Sequence, residues 1–350
     1  AMYIAAVLPK GKVEKFFRIV GYYWYGVSVY IIIIFLTAML IRLIVLHTSL
    51  GQADILSDKR FLPIVGLVCV VTMAVICIGG HFQAKRLQTT NYEVTINKSC
   101  DLDELNLVLV ADQHLGYNIG VEMMTQMVEK INTCQPDLVV VAGDIFDNCF
   151  ENIEEPEIIA EILKGIQSKY GVYAVLGNHD CEEEIIAGFT FNYDEKKEAD
   201  EDMYNFIEQA GFKLLCDQSV MIEDSAYLFV RPDEERPGKY VEGERLTPDE
   251  LMATMDASKP VIVFEHEPKF LDQLSEAGVD LHLAGHTHDG QLFPLNLTSK
   301  LVWKNSCGLL EVGDMTSIVT SGVGLYGPYI RVGTTPEVCD IHISFNNRAG

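Results

Sequence analysis

The sequence predicts an α/β architecture preceded by a hairpin of two membrane-crossing helices. Three observations carry this: apolar runs alternate with helically spaced stretches, a polar cluster follows each of five such runs, and two long apolar segments fill the first quarter. Strands that alternate with helices give α/β layers. The chain is therefore read as a membrane anchor over residues 1–90 and a catalytic domain over residues 91–350.

The anchor contains one apolar segment at about residues 22–46 and a second at 61–80. Each is long enough to cross about 30 Å of hydrocarbon at 1.5 Å per residue. A cleaved signal peptide is excluded for the first by its length and by the absence of a small-residue cleavage site. Two buried soluble helices are the competing reading, but nothing else in the chain offers them a core. Ala1 ahead of Met2 reads as a tag remnant.

Charge divides at the same place. Residues 1–90 carry nine Lys/Arg against three Asp/Glu, whereas residues 91–350 carry 17 against 47. Lys10, Lys12, Lys15 and Arg18 precede the first span and Lys85 and Arg86 follow the second; the loop between holds Lys59 and Arg60 against Asp54 and Asp58. Positive charge stays inside, so both ends, and with them the catalytic domain, are expected on the cytoplasmic face of the cell membrane.

In the second part, residues 105–110, 138–141, 172–175, 261–264 and 281–284 are rich in Val and Leu, without polar alternation. They read as strands buried on both faces. Residues 121–132 put Met124, Met127, Val128 and Ile131 on one helical stripe, and 153–170 do the same with Ile158, Ile159, Ile162 and Ile166. Thr247-Pro-Asp-Glu250 opens a further helix with a capping box and a proline at its first position. In such folds the loops at the carboxyl ends of the strands build the site.

Those loops hold Asp112-Gln-His114, Gly143-Asp144-Ile-Phe-Asp147, Gly177-Asn178-His179-Asp180, His266 and Gly285-His286-Thr-His288. Asp112, His114, Asp144, Asn178, His266, His286 and His288 offer imidazole and oxygen donors but no thiolate, a set suited to Zn, Mn or Fe rather than a Ca or Mg cage. Seven ligands exceed one ion but fit two divalent ions that share a carboxylate. Two such metals, about 3.5–4 Å apart, generate a hydroxide nucleophile and hold the attacking and departing oxygens at phosphorus. His179, outside that set, is the candidate proton donor or stabiliser of phosphoryl charge.

The five clusters in this order resemble the calcineurin-like metallophosphoesterase superfamily. The strings Gly285-His-Thr-His-Asp-Gly-Gln-Leu-Phe-Pro294, Ser321-Gly-Val-Gly-Leu-Tyr-Gly-Pro-Tyr-Ile-Arg331 and Gly333-Thr-Thr-Pro-Glu337 are similar to its membrane-anchored bacterial branch. The resemblance covers about residues 91–345. It implies a four-layer α/β/β/α sandwich. It also implies that Asp112, His114 and His288 hold one metal, that Asn178, His266 and His286 hold the other, and that Asp144 bridges. Asp147 would orient His179. Gln113, where an apolar or small residue is expected, and Asp289, where glycine is usual, depart from the family pattern at positions that are not ligands.

The remaining histidines read as ordinary: His282 as a satisfied core residue, His342 as outward on the last strand, His47 and His81 as flanks of the apolar segments. The nine cysteines form no Cys-x-x-Cys pair and read as free thiols. Cys181 is not a convincing nucleophile, because its neighbours Glu182, Glu183 and Glu184 would raise rather than lower its pKa. The strongly acidic catalytic part excludes nucleic acid, whose binding needs Lys and Arg. The acidic run 194–202 reads as a solvated insertion, or as a device that steers cations.

The expected partners are the lipid bilayer and a lipid-linked phosphate substrate, since an anchored enzyme gains effective concentration on anything in its membrane. Leu292, Phe293, Leu295, Leu297, Leu301, Val302 and Trp303, interleaved with Lys300 and Lys304, suit an interfacial surface. The alternative is that they cover the domain's own core. Arg331, Phe293 and Trp303 are the candidate substrate contacts, the arginine through bidentate bonds to phosphate. The expected activity is hydrolysis of a phosphate ester or pyrophosphate bond. A soluble nucleotide or cyclic diester is the alternative substrate, and a non-catalytic metal-binding scaffold is the third reading.

Overall fold

The computed structural model describes residues 11–48, 59–181, 185–186, 189–190, 201–231 and 246–346. Expectations for Asp54 and Asp58, for Glu182, Glu183 and Glu184, and for residues 194–200 lie outside those residues. The chain divides into two compact units, Ala1–Ala84 with Gly327–Val332, and Lys85–Tyr326 with Gly333–Gly350.

The first unit contains helices α1 (Lys12–Leu46) and α2 (Phe61–Ala84). Both are long and apolar enough to cross a membrane. Large apolar side chains such as Ile32, Phe35, Leu67 and Val75 are exposed along them, which suits helices solvated by lipid. α1 starts ten residues before the expected span. That extra length carries Lys12, Lys15 and an Arg18–Glu14 ion pair one turn apart. Within the unit the Tyr23 hydroxyl and His81 Nδ1 are hydrogen bonded at 2.8 Å, and both rings pack on Tyr329 at 5.9 and 5.7 Å.

The second unit is built on two mixed six-stranded sheets. The first sheet draws on β1 (Gln88–Ile96), β2 (Glu104–Val110), β3 (Leu138–Ala142) and β4 (Val172–Val175). A small hairpin, β5 (Ile185–Ile186) with β6 (Phe189–Thr190), stands apart, and β7 (Phe212–Leu214) rejoins the first sheet. The second sheet comprises β8 (Ser219–Ile222), β9 (Ala226–Arg231), β10 (Val261–Glu265), β11 (Leu281–Ala284), β12 (Gly308–Val312) and β13 (Met315–Val319). β14 (Glu337–Phe345) returns to the first. Strand orders are β1-β14-β2-β3-β4-β7 and β12-β13-β11-β10-β9-β8. β2, β3 and β4 run parallel, as do β9, β10, β11 and β13.

The helices in chain order are α3 (Val121–Cys134), α4 (Pro156–Lys164), α5 (Glu201–Gln209), α6 (Pro248–Ala253), α7 (Leu271–Ala277) and α8 (Leu295–Val302). α3 buries the expected Met124, Met127, Val128 and Ile131. The stripe expected over 153–170 is shorter as a helix. Pro156 fixes the first turn of α4 and Gly165 caps its end, with residues 150–152 in a separate 3-10 turn. α6 keeps its capping box: Thr247 Oγ1 accepts from the Glu250 amide at 3.3 Å, and the Glu250 carboxylate accepts from the Thr247 amide at 2.9 Å.

Inner-face residues of both sheets make one core: Leu107, Leu109 and Val140 from the first meet Leu228, Ile262, Phe264, Leu283 and Ile318 from the second. Phe229, Val261 and Val263 on the other face of the second sheet pack with Leu251 of α6 and Leu271 and Leu274 of α7. Sheet on sheet with helices outside follows from runs that are apolar on both faces. It also leaves the carboxyl ends of β2, β3, β4, β10 and β11 as the places where polar loops gather.

Candidate metal centre

Each expected ligand lies within four residues of a parallel strand's end: Asp112 and His114 after β2, Asp144 after β3, Asn178 after β4, His266 after β10, His286 and His288 after β11. The loops are tied to one another by main chain. Asp112 N donates to Gly143 O at 2.9 Å, His114 N to Asp144 O at 3.0 Å, Gly285 N to His266 O at 3.0 Å and Gly324 N to Asp112 O at 2.7 Å. The two acids are anchored as well: Asp112 accepts from the His286 amide at 3.1 Å and Asp144 Oδ1 from the His179 amide at 2.8 Å.

The side chains meet in three groups, two of which share His114: Asp112, His114 and His288; Asp144, His266 and His286; and His114, Asp147 and His179. Within each group the potential ligand atoms all lie within 4.8 Å of one another. Asn178 joins the second, its Oδ1 at 3.1 Å from His266 Nε2 and 2.9 Å from His286 Nδ1. Asp144 Oδ2 lies between, 3.7 Å from His114 Nε2 and 3.1 Å from His266 Nε2. Imidazole nitrogens face each other, His114 Nε2 to His288 Nε2 at 3.0 Å and His286 Nδ1 to His266 Nε2 at 3.1 Å. Ligand atoms bound at about 2.0–2.2 Å stand roughly 3 Å apart around one ion, so these spacings fit divalent metal.

The backbone is bent to reach this arrangement. Asp112, His114, Asp144, His286 and His288 all have positive φ, between 47° and 72°. A left-handed conformation at a residue other than glycine costs about 1–3 kcal/mol and gathers where function demands it. Gly322, at φ 79°, marks one close approach, because a Cβ there would stand 2.7 Å from the Asp112 Cβ.

Burial and neighbouring charge together set the protonation states. It pushes the His114 imidazole down to about 3, the neutral form a ligand requires, although Asp144 opposes the shift. Burial works to raise Asp144, but the histidines around it, His266 and His179 first, hold it well below the usual carboxylate range. Asp180 is pushed up to about 7 by burial and by the Asp144 charge beside it.

A family model described as calcineurin-like phosphoesterase matches residues 105–290, more than half of the chain. The chain belongs to the calcineurin-like phosphoesterase family. The metallophosphoesterase is similar to a zebrafish (Danio rerio) protein named transmembrane protein with metallophosphoesterase domain, at 26% identity over 79% of this chain and 61% of the relative. The chain spans less than two thirds of that relative's length. An Aquifex aeolicus protein named uncharacterized metallophosphoesterase is 29% identical over 75% of this chain and 94% of its own. UDP-2,3-diacylglucosamine pyrophosphatase LpxG of Chlamydia trachomatis is 21% identical over 74% and 90%. The two apolar helices and the transmembrane relative mark this metallophosphoesterase as membrane-associated.

Around the ligands stand residues that motif reading passed over. Asn148 Oδ1 is hydrogen bonded to His179 Nδ1, while the Asp147 carboxylate lies 3.9 Å from His114 Nδ1. Glu267, buried directly after His266, puts Oε1 3.4 Å from His286 Nε2. Adjacency to a motif residue was the available signal for both. Asp180 accepts from Phe146 N at 2.8 Å and Gly177 N at 2.7 Å, joining the β3 and β4 loops. The Tyr326 ring lies 5.0 Å from that of His179 and 6.0 Å from that of His114, and its main chain makes two 2.9 Å bonds with the Gln291 side chain.

Of the candidate substrate contacts, Trp303 stands edge-on to His286 at 5.2 Å and Phe293 is half exposed. Arg331 is fully buried and belongs to the helical unit, where its amide donates to Gly80 O at 3.0 Å. His282 is buried between Glu265 at 3.0 Å and Ser317 at 3.1 Å, the satisfied core residue expected, and His342 is exposed. None of the nine cysteines is joined in a disulfide.

Proposed function

We propose that this metallophosphoesterase holds two divalent metal ions and hydrolyses a phosphate ester or pyrophosphate bond in a lipid-linked substrate. The observation that carries the reading is the convergence of seven side chains into two ligand groups with Asp144 between them. Asp112, His114 and His288 would hold one ion and Asn178, His266 and His286 the other, with Asp144 shared. Imidazole, carboxylate and amide oxygen suit Mn, Fe or Zn. When bound, two such ions supply a nucleophile at neutral pH and neutralise the oxygens of an in-line displacement at phosphorus.

The chain's own residues do the rest. Asn148 Oδ1 accepts from His179 Nδ1, which directs proton transfer to Nε2. His179 then protonates the departing oxygen, with Asp147 holding the region between it and His114. Tyr326 and Trp303 wall the two ends of the cluster, one against His179 and the other against His286. A lipid-linked substrate is supported by the two apolar helices and by the activity named for the Chlamydia relative. The hairpin spans the membrane twice, with the catalytic part on the cytoplasmic side.

Elemental analysis of the detergent-purified chain tests the reading, with assays on an aryl monoester, an aryl diester and a membrane-lipid extract. Two equivalents of metal, hydrolysis of a lipid component and loss of turnover in Asp144→Asn are expected. Unchanged turnover in that variant overturns the mechanism, and activity confined to soluble esters overturns the lipid-linked substrate.

A further inference from the structure

Helix α8 is built inside out. Its inward positions are Asn296 and Ser299, one turn apart. Asn296 Oδ1 and Ser299 Oγ are buried with no hydrogen-bond partner among the described residues. The opposite face carries Leu297 and Leu301, with Leu295 and Val302 beside them, and no residue of the helix is buried. Leu301 is 87% exposed and Val302 74%, and Phe293 just ahead of the helix is 49% exposed. A surface helix in water turns its apolar stripe to the core and its polar residues outward. Here the arrangement is reversed, so hydration opposes the outward face and burial opposes the inward one. An apolar medium outside removes the larger of the two costs.

We infer that α8, with Phe293 before it and Trp303 after it, is an interfacial helix that seats the catalytic unit in the headgroup and acyl boundary of a bilayer. Charge favours a lipid surface over a second copy of the chain. Residues 91–350 carry 47 acidic against 17 basic side chains, so two copies repel. Lys300 on the helix sets positive charge beside the apolar face, as binding to phosphate headgroups requires, while Lys304 just beyond it is paired with Asp272. Tryptophan at the end of such a helix sits at headgroup depth. Trp303 also touches His286, so docking would hold the metal centre at the level of lipid phosphates. The inference deepens the lipid-linked reading but stands on a physical readout that does not depend on any substrate.

The test uses the full chain in nanodiscs of phosphatidylcholine and phosphatidylglycerol. The sequence has two tryptophans, so Leu301→Trp in a Trp24→Phe, Trp303→Phe background places a single reporter on the outward face. Blue-shifted emission, quenched by acyl-brominated lipid and shielded from iodide, is expected. Emission of a hydrated indole that iodide quenches overturns the inference. So does blue-shifted emission that brominated lipid leaves intact, which would give the face to protein. In parallel, Leu297→Glu with Leu301→Glu should keep turnover of a soluble aryl diester while losing turnover of vesicle-borne substrate. Equal loss on both would make α8 a structural element and overturn it too. Lipid docking with no lipid hydrolysis would sink the substrate reading alone.

Discussion

His179 and Glu267 show what single side chains contribute. His179 is no ligand in the proposed scheme, so His179→Ala should leave metal content intact and lower kcat by roughly 10²–10⁴, the range for a lost general acid. Single-turnover rates beside elemental analysis would check this; loss of metal with the rate would move His179 into the ligand set. Glu267 acts through another residue. A metal-bound histidine is oriented by whatever its second nitrogen meets, and His286 turns Nδ1 to the cluster and Nε2 to Glu267. Glu267→Gln should weaken metal binding by about 10–100-fold. Metal titration would read that shift, and recovery of turnover at high metal would separate it from a direct catalytic role.

At the scale of elements, the second sheet carries a buried polar belt on its helix-covered face. Arg231 on β9 bonds Glu265 on β10 at 3.2 Å, Glu265 bonds His282 on β11 at 3.0 Å, and His282 bonds Ser317 on β13 at 3.1 Å. Asn305 closes it with two bonds to Ser317 at 3.1 Å. Glu265 is covalently next to His266, so the belt fixes the strand end from which that ligand leaves. Arg231→Met removes the cation from a buried pair and should cost about 3–5 kcal/mol, read by denaturant unfolding. A change below 1 kcal/mol would mean that His282 alone satisfies Glu265. The loops that carry Asp112 and Asp144 are bent into left-handed conformations and need glycine where they meet. Gly322→Ala should therefore push on Asp112 and lower metal occupancy more than it lowers the unfolding temperature.

For the whole molecule, the two units differ in solvent. The helical hairpin exposes apolar residues along its length, and the sandwich buries its own. Metal in the proposed centre would add to the stability of the sandwich, since a ligand that binds only the folded state stabilises it by about 2.7 kcal/mol at a hundred times its Kd. Chelation should then lower the unfolding temperature of the sandwich while the hairpin stays in detergent, as scanning calorimetry and circular dichroism would show. An unchanged transition would argue that the centre holds no metal. Sidedness is tested in vesicles: protease should reach the catalytic unit in inside-out preparations and not in right-side-out ones. The reverse pattern would place it outside.

The sequence by itself determined the α/β class and the two apolar helices, and it named the residues that gather in the candidate metal cluster. Apolar runs announce buried strands by composition, spans announce themselves by length, and metal ligands are chemically conspicuous types at strand ends. Val172–Val175 and Leu281–Ala284 fall where composition put them because such runs have nowhere else to go. Tertiary structure alone decided which nitrogen of His179 meets Asn148, that Glu267 backs His286, and that Tyr326 crosses from a distant loop to the histidines. Those contacts join residues up to 212 positions apart, Tyr326 to His114, through strand order that local pattern does not encode. The stretch around α8 was the ambiguous case, because Leu and Val at those spacings serve a core or a lipid surface equally well. Folding turned Asn296 and Ser299 inward and Leu297 and Leu301 outward. Which side of a helix meets the rest of the chain is a property of the packed molecule, not of the helix.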